Sequence, residues 1–192
     1  MRTLYLILPL FFLCNISLFS QTNFSNINLF AEASIENNNH LIYADKDNTF
    51  RTNTSFNIGS EVTFFKYESP IKYGVGVLFQ FPSSIIGQDG DYSFIPLYAL
   101  TRINVFESDF FITTLQVRLG YNFLLVNNNY LGGNGDFNGG LYYSIGSVLT
   151  MDNEMQIRLF YSVNYGKYKT AFSDYLVKNN QFTIGLGYGF NL

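Results

Sequence analysis

Few residues in this 192-residue chain are of types that do chemistry. The single histidine, His40, stands beside Asn37, Asn38 and Asn39. A hydrolase or acyltransferase built on it needs a serine or carboxylate within hydrogen-bond reach of the imidazole. The nearest carboxylates, Glu36 and Asp45, share its polar stretch, and no His-x-Ser pair occurs. The chain therefore reads as a non-enzyme, with His40 an exposed loop residue. Asn134, Asp136, Asn138 and Gly139 match the opening of a calcium loop, but Ile145 stands where that loop needs a bidentate glutamate. With Gly132, Gly133, Gly135 and Gly140 they read instead as a glycine-rich loop. Gly185, Gly187 and Gly189 alternate along a strand and precede no helix, which rejects a phosphate-binding loop. No metal and no cofactor is expected.

The constellation that remains is ionic: Glu32 and Glu61 against Lys72, Arg102, Arg118 and Arg158, each set among Gly, Ser, Thr, Asn and Gln. The elements that carry them alternate with a period of two. Strict alternation puts one face of a strand in an apolar medium and the other in a polar one. The clearest case is 181–192, with Phe182, Ile184, Leu186, Tyr188, Phe190 and Leu192 on one face and Thr183, Gly185, Gly187, Gly189 and Asn191 on the other. The same pattern recurs over 24–35, 53–66, 71–81, 93–105, 111–125, 140–149 and 155–166, which makes eight segments of membrane-crossing length. Loops alternate as well: 36–52, 82–92, 126–139 and 167–180 are long, whereas 67–70, 106–110 and 150–154 are short. This predicts an all-β, eight-stranded antiparallel up-and-down transmembrane β-barrel, with both termini at the short-turn rim.

A soluble barrel of the lipocalin type shows the same alternation with the apolar side inward, so the polar face decides. A water-exposed face would be crowded with Lys and Glu; this one carries small and amide side chains with a few charges of both signs. It is therefore expected to line the lumen, which in an eight-strand barrel is just wide enough for side chains to fill. The two glutamates should accept hydrogen bonds from Arg102, Arg118 and Arg158, with the four cations leaving the lumen positive. Phe64, Tyr73, Phe81, Tyr121, Tyr165 and Phe182 sit near strand ends, where interfacial girdles belong. Val163 falls on the lipid-facing side, and the strand glycines on the inner side should make room for Phe30 or Tyr98.

Composition agrees with strands in a bilayer. Charged residues are 13% of the chain and aromatics 19%, with no tryptophan, against roughly 25% charged in soluble domains. Arg2 followed by an apolar run over 4–13 is too short to span a bilayer as a helix and reads as a signal peptide over 1–20, with the barrel over 21–192. Cys14 is preceded by Phe11, Phe12 and Leu13 where a lipobox needs small residues, so lipidation is not expected. Cleavage would remove Arg2 and the only cysteine, leaving ten basic against 14 acidic residues. A net charge of −4 argues against a nucleic-acid partner.

The runs Phe94-Ile95-Pro96-Leu97-Tyr98, Gly120-Tyr121-Asn122 and Gly139-Gly140-Leu141-Tyr142-Tyr143, with the alternating C-terminus, resemble the small outer-membrane β-barrel domain proteins often labelled porin-family. The resemblance implies an OmpA- or OmpX-type barrel in a Gram-negative outer membrane. It also implies that Tyr188, Phe190 and Leu192 act as an assembly signal for the barrel-assembly machinery, although the chain ends Phe190-Asn191-Leu192 and not on an aromatic. It supplies no catalytic residue. The expectation is a monomer among outer-membrane lipid and lipopolysaccharide, with a packed polar lumen, acting in envelope structure or surface interaction through its loops. A narrow porin-like passage is the first alternative and a lipid-modifying enzyme the second.

Overall fold

The computed structural model describes residues 24–43, 46–65, 69–87, 89–127, 136–169 and 174–191. The expected signal peptide and its cleavage site, Leu192, and Gly132, Gly133, Asn134 and Gly135 lie outside the described residues. The strands are β1 (Phe24–Tyr43), β2 (Lys46–Arg51), β3 (Phe56–Phe65), β4 (Ile71–Gln80), β5 (Ser83–Ser84), β6 (Asp91–Glu107), β7 (Phe111–Val126), β8 (Asp136–Asn138), β9 (Gly140–Met151), β10 (Met155–Lys169) and β11 (Asp174–Asn191). Eight of them pair in chain order, β1-β3-β4-β6-β7-β9-β10-β11, and β11 returns antiparallel to β1 to close the ring. Closure leaves no strand edge in the barrel wall, which a bilayer requires because hydrocarbon offers no partner for a free backbone amide.

Alternation dictates which way each strand faces. Along β7, Leu115, Val117, Leu119, Tyr121, Phe123 and Leu125 are exposed while Gln116, Arg118 and Asn122 between them are fully enclosed. Along β11, Leu186 is 62% exposed, and Ile184, Tyr188 and Phe190 share its face. Such a continuous apolar wall is far larger than a water-soluble monomer displays, and it carries no charge at mid-height. The soluble, apolar-inside barrel is thereby excluded. Val163 departs from its face: alternation keeps it outward, yet its short side chain is buried between the register neighbours Tyr143 and Asn180.

The long connections differ from expectation. Most of 36–52 is not loop: β1 runs on to Tyr43, and β2 folds back along it with Asn38 opposite Arg51 and Tyr43 opposite Lys46. Likewise β10 and β11 pair as far as Lys169 and Asp174. Beyond the apolar belt both faces of a strand meet polar surroundings, so the period-two signal fades while the hydrogen bonding continues. A register shift between Ser34 and Glu36 compounds this, since it leaves Ile35 and Glu36 both exposed and moves the inward parity from even to odd residues. A second shift, between Asn104 and Phe106, turns Val105 and Phe106 outward together near the short-turn rim.

Candidate functional site: the lumen network

Two carboxylates organise the middle of the lumen. Glu61 on β3 is 1% exposed. It accepts hydrogen bonds from Arg102 Nη2 (2.5 Å), Arg158 Nη2 (3.0 Å), Gln116 Nε2 (2.8 Å) and the Tyr98 hydroxyl (2.9 Å), and pairs with Arg118 Nη2 at 3.0 Å. Glu32 on β1 accepts from Arg118 Nη2 (3.2 Å), Arg158 Nε (3.3 Å) and Thr183 Oγ1 (3.2 Å). Arg118 and Arg158 are 0% exposed and Arg102 is 6% exposed. Gln116 also accepts from Arg102 Nε at 2.6 Å, and Gln156 accepts from Arg158 Nη1 at 3.0 Å while donating to Asn28. These groups come from six of the eight ring strands, so the cluster ties opposite walls together.

Aromatic side chains that alternation also points inward complete it. The Arg118 guanidinium carbon lies 3.7 Å from the centroid of Phe160, and that of Arg158 lies 3.9 Å from the centroid of Phe30. Desolvated contacts of this kind contribute about 2 kcal/mol each, less than the several kcal/mol that burying each ion costs. The rings need room, and glycine supplies it. A Cβ at Gly76 would come 2.7 Å from the Tyr98 ring and 2.8 Å from Glu61 Cγ, and one at Gly146 would strike the Phe160 ring and the Leu159 carbonyl. Of the C-terminal glycines, Gly187 lies against Phe30, Gly185 against Glu32 and Gly189 against Glu154, whereas Tyr98 rests over Gly76. Their inward face matches expectation; their neighbours match only for Phe30.

Lys72 stands apart from the glutamates. It is half-buried near the short-turn end of β4, opposite Arg102 in register, and none of the ion pairs to Glu32 or Glu61 involves it. Glu61 lies opposite Gly76, four residues farther along β4, which places Lys72 well below the carboxylate. Toward the long-loop end the lumen continues as amides: Gln181 donates to Gln80 and to Asn179 (both 2.7 Å), and Asn179 donates to Asn37 (2.7 Å) and the Tyr92 hydroxyl (3.0 Å). Above them Ile85, Tyr92, Phe94 and Leu124 form an apolar layer, with Phe50, Val126 and Phe137 packed on it.

His40 is a partly buried strand residue of β1, not a loop residue. Its Nδ1 faces Asp47 (3.1 and 3.2 Å) and the Thr49 hydroxyl (3.1 Å), which the fold-back of β2 brings close, while Nε2 meets the Asn180 amide at 3.2 Å. Glu36, a nearby carboxylate in sequence, instead accepts from the Asn38 amide at 3.0 Å, and Asp45 lies outside the described residues. Both ring nitrogens are occupied, and the Nε2 side presents an amide where a hydrolase presents its nucleophile. Asp136 and Asn138 belong to the short strand β8 and pair with Lys169 and Lys167 in register, which is not calcium-loop geometry. Among the described residues, no three His, Cys, Asp or Glu side chains gather as metal ligands.

The expected girdle residues Tyr73, Phe81, Tyr121 and Phe182 stand on the outer wall and exposed, and Phe64 and Tyr165 partly so. Tyr188 and Phe190 pack edge to face on β11 at 4.9 Å between ring centroids. Sequence reasoning missed Phe106 and Phe110 at the short-turn rim, both exposed, because it assigned them to a turn.

Neither a family model nor a curated protein sequence matches the chain. The outer-membrane protein AlkL, solved by solid-state NMR in DMPC bilayers, matches over 89% of this chain and 92% of its own, at 10% identity with a TM-score of 0.53. The chain has the fold of the small outer-membrane β-barrels. Neisserial surface protein A matches 85% of this chain and 97% of its own at 12% identity (TM-score 0.49). Ail of Yersinia pestis matches 87% and 99% at 14% identity (TM-score 0.47). At these identities the likeness is one of fold. In this barrel the polar cluster occupies the position that alternation assigns to the lumen, and the apolar wall the position assigned to lipid.

Proposed function

We propose that this chain is an integral outer-membrane barrel whose lumen is sealed, and which acts in envelope structure or surface contact through the strands that rise beyond the apolar belt. The observation that carries this reading is the continuous filling of the lumen. Glu32, Glu61 and the three arginines close its middle, the amides of Gln80, Asn179 and Gln181 the level above, and Phe94 and Leu124 the mouth. A conducting path needs a file of water, and hydrogen bonds span the lumen at successive levels: Arg158 to Glu61 in the middle, Gln181 to Gln80 above, and Asn179 to the Tyr92 hydroxyl below the mouth. Export through a cleaved signal over 1–20, assembly through Tyr188, Phe190 and Leu192, and a monomeric state among lipid and lipopolysaccharide belong to the same reading.

The upper strands are built for contact. Phe137, Tyr168, Tyr175 and Tyr43 form a ladder across β8, β10, β11 and β1, with successive centroids 4.4, 5.7 and 5.0 Å apart. Tyr168 is buried and Phe137 packs on the layer at the mouth, so the accessible end of the ladder is Tyr43, 44% exposed, with Tyr175 half-buried beside it; tyrosine supplies contact area at low entropic cost and is enriched where proteins meet. The test is planar-bilayer recording of purified protein: a silent bilayer is expected, and discrete, reproducible conductance steps would replace the sealed barrel with the narrow passage. Protease or antibody access to the β1–β2 hairpin on intact cells is expected as well. Unchanged lipid A on overexpression would remove the lipid-modifying alternative.

A further inference from the structure

The charges enclosed in the lumen do not balance. Among the described residues the buried cations are Arg102, Arg118 and Arg158, and the buried carboxylates are Glu32 and Glu61. A guanidinium does not deprotonate in proteins, so this excess of one positive charge cannot be relieved by titration. Aromatic faces attract it but carry no net charge to neutralise it.

Unused donors show where compensation belongs. Arg118 Nη2 is shared between Glu32 and Glu61, while Arg118 Nε and Nη1 are buried without a hydrogen-bond partner. The Tyr142 hydroxyl is likewise buried and unpartnered. Tyr142 lies opposite Gly120, two residues along the lumen face of β7 from Arg118. Its ring packs 5.4 Å from that of Tyr98, and the Tyr98 centroid is 5.2 Å from Arg118 Cζ.

We propose that the lumen binds one small monovalent anion, a halide, through Arg118 Nε and Nη1, with the Tyr142 hydroxyl as a third donor. One negative charge neutralises the excess, and a divalent anion would overshoot it. The Phe160, Phe30 and Tyr98 rings lie over the Arg118 guanidinium carbon, so an anion reaches Nε and Nη1 along the edge of the group, where a small spherical ion is easier to place than a polyatomic one. Because the lumen is sealed, the ion enters as the barrel folds.

The test uses the full barrel, folded with bromide as the sole halide and, in parallel, with gluconate at equal ionic strength. Crystals from bromide should show an anomalous peak within hydrogen-bond distance of Arg118 Nε or Nη1. The folded-to-unfolded ratio in urea should rise about tenfold for each tenfold increase in bromide above the dissociation constant. Arg118→Met should lose both the peak and the bromide dependence. Should that variant not fold, Tyr142→Phe keeps the packing, and its bromide dependence should set in at about tenfold higher bromide. Equal stability of the unaltered barrel in bromide and gluconate, anomalous peaks on the outer surface alone, or a water at Arg118 in bromide-grown crystals would overturn the site. An unchanged bromide dependence in Tyr142→Phe would overturn the third donor. A conductance measurement bears on the sealed lumen and not on this site, so the two readings fail separately.

Discussion

Glu61→Gln keeps the shape of the side chain and removes the counter-charge that three arginines share. The amide oxygen can still accept from one or two of the present donors, but the new NH2 group faces a guanidinium. Removing one partner of a buried pair costs about 3–5 kcal/mol. Arg102, Arg118 and Arg158 all lie within 3.0 Å of the carboxylate, so the loss should fall at the upper end. About 5 kcal/mol is more than three decades in the folded-to-unfolded ratio. The assay is urea unfolding in phospholipid vesicles, read from heat-modifiable migration on gels. Adding Arg118→Met to Glu61→Gln returns the excess from two positive charges to one, so the double variant should be more stable than Glu61→Gln alone. A loss under about 1 kcal/mol for Glu61→Gln, or additivity of the two changes within about 0.5 kcal/mol, would mean that water reaches these guanidinium groups and would refute the reasoning.

On the outer wall, Leu186→Arg should cost about 2–4 kcal/mol in the same vesicle titration if Leu186 sits near mid-bilayer, and much less in a thin detergent micelle. Gly146→Ala forces Phe160 or the β10 backbone to move, at about 1–3 kcal/mol; a neutral result would mean the ring has slack. Tyr98→Phe removes the hydroxyl bonded to Glu61 and should cost about 1.5–3 kcal/mol, measured as a shift in urea midpoint with unchanged slope.

The barrel and its inside-out arrangement were legible because period two is strict wherever one face meets lipid. Residues such as Leu119 and Leu186 have no polar neighbour on their face to blur the signal. The cluster was legible as a set: Glu32, Glu61, Arg102, Arg118 and Arg158 each fall on the polar face of their own strand, and a small ring leaves them nowhere to go but together. Which arginine meets which glutamate was not, because it depends on stagger between strands distant in sequence, such as Glu32 on β1 and Arg158 on β10. Lys72 carries the right parity, but depth along the strand separates it from the carboxylates. The His40–Asp47 contact was hidden because β2 lies where both strand faces are polar, and alternation has nothing to report there.

The lumen also shows how one cross-section holds charge, amide and ring together. At the level of Glu61, Gly76 lies opposite it on β4 and Tyr98 opposite Gly76 on β6; two residues nearer the long loops, Gly59 leaves space for the Phe30 ring. Large and absent side chains thus alternate around the ring, which lets the guanidinium groups lie flat on aromatic faces while their edges reach carboxylates. An all-aliphatic filling would pack at least as stably, since buried ion pairs are weak contributors to net stability. What directional bonds add is register: sliding β10 by two residues past β11 would retain its outward apolar face but take Arg158 away from both glutamates. The ionic cluster therefore distinguishes the native stagger from neighbouring staggers that lipid-facing alternation cannot tell apart.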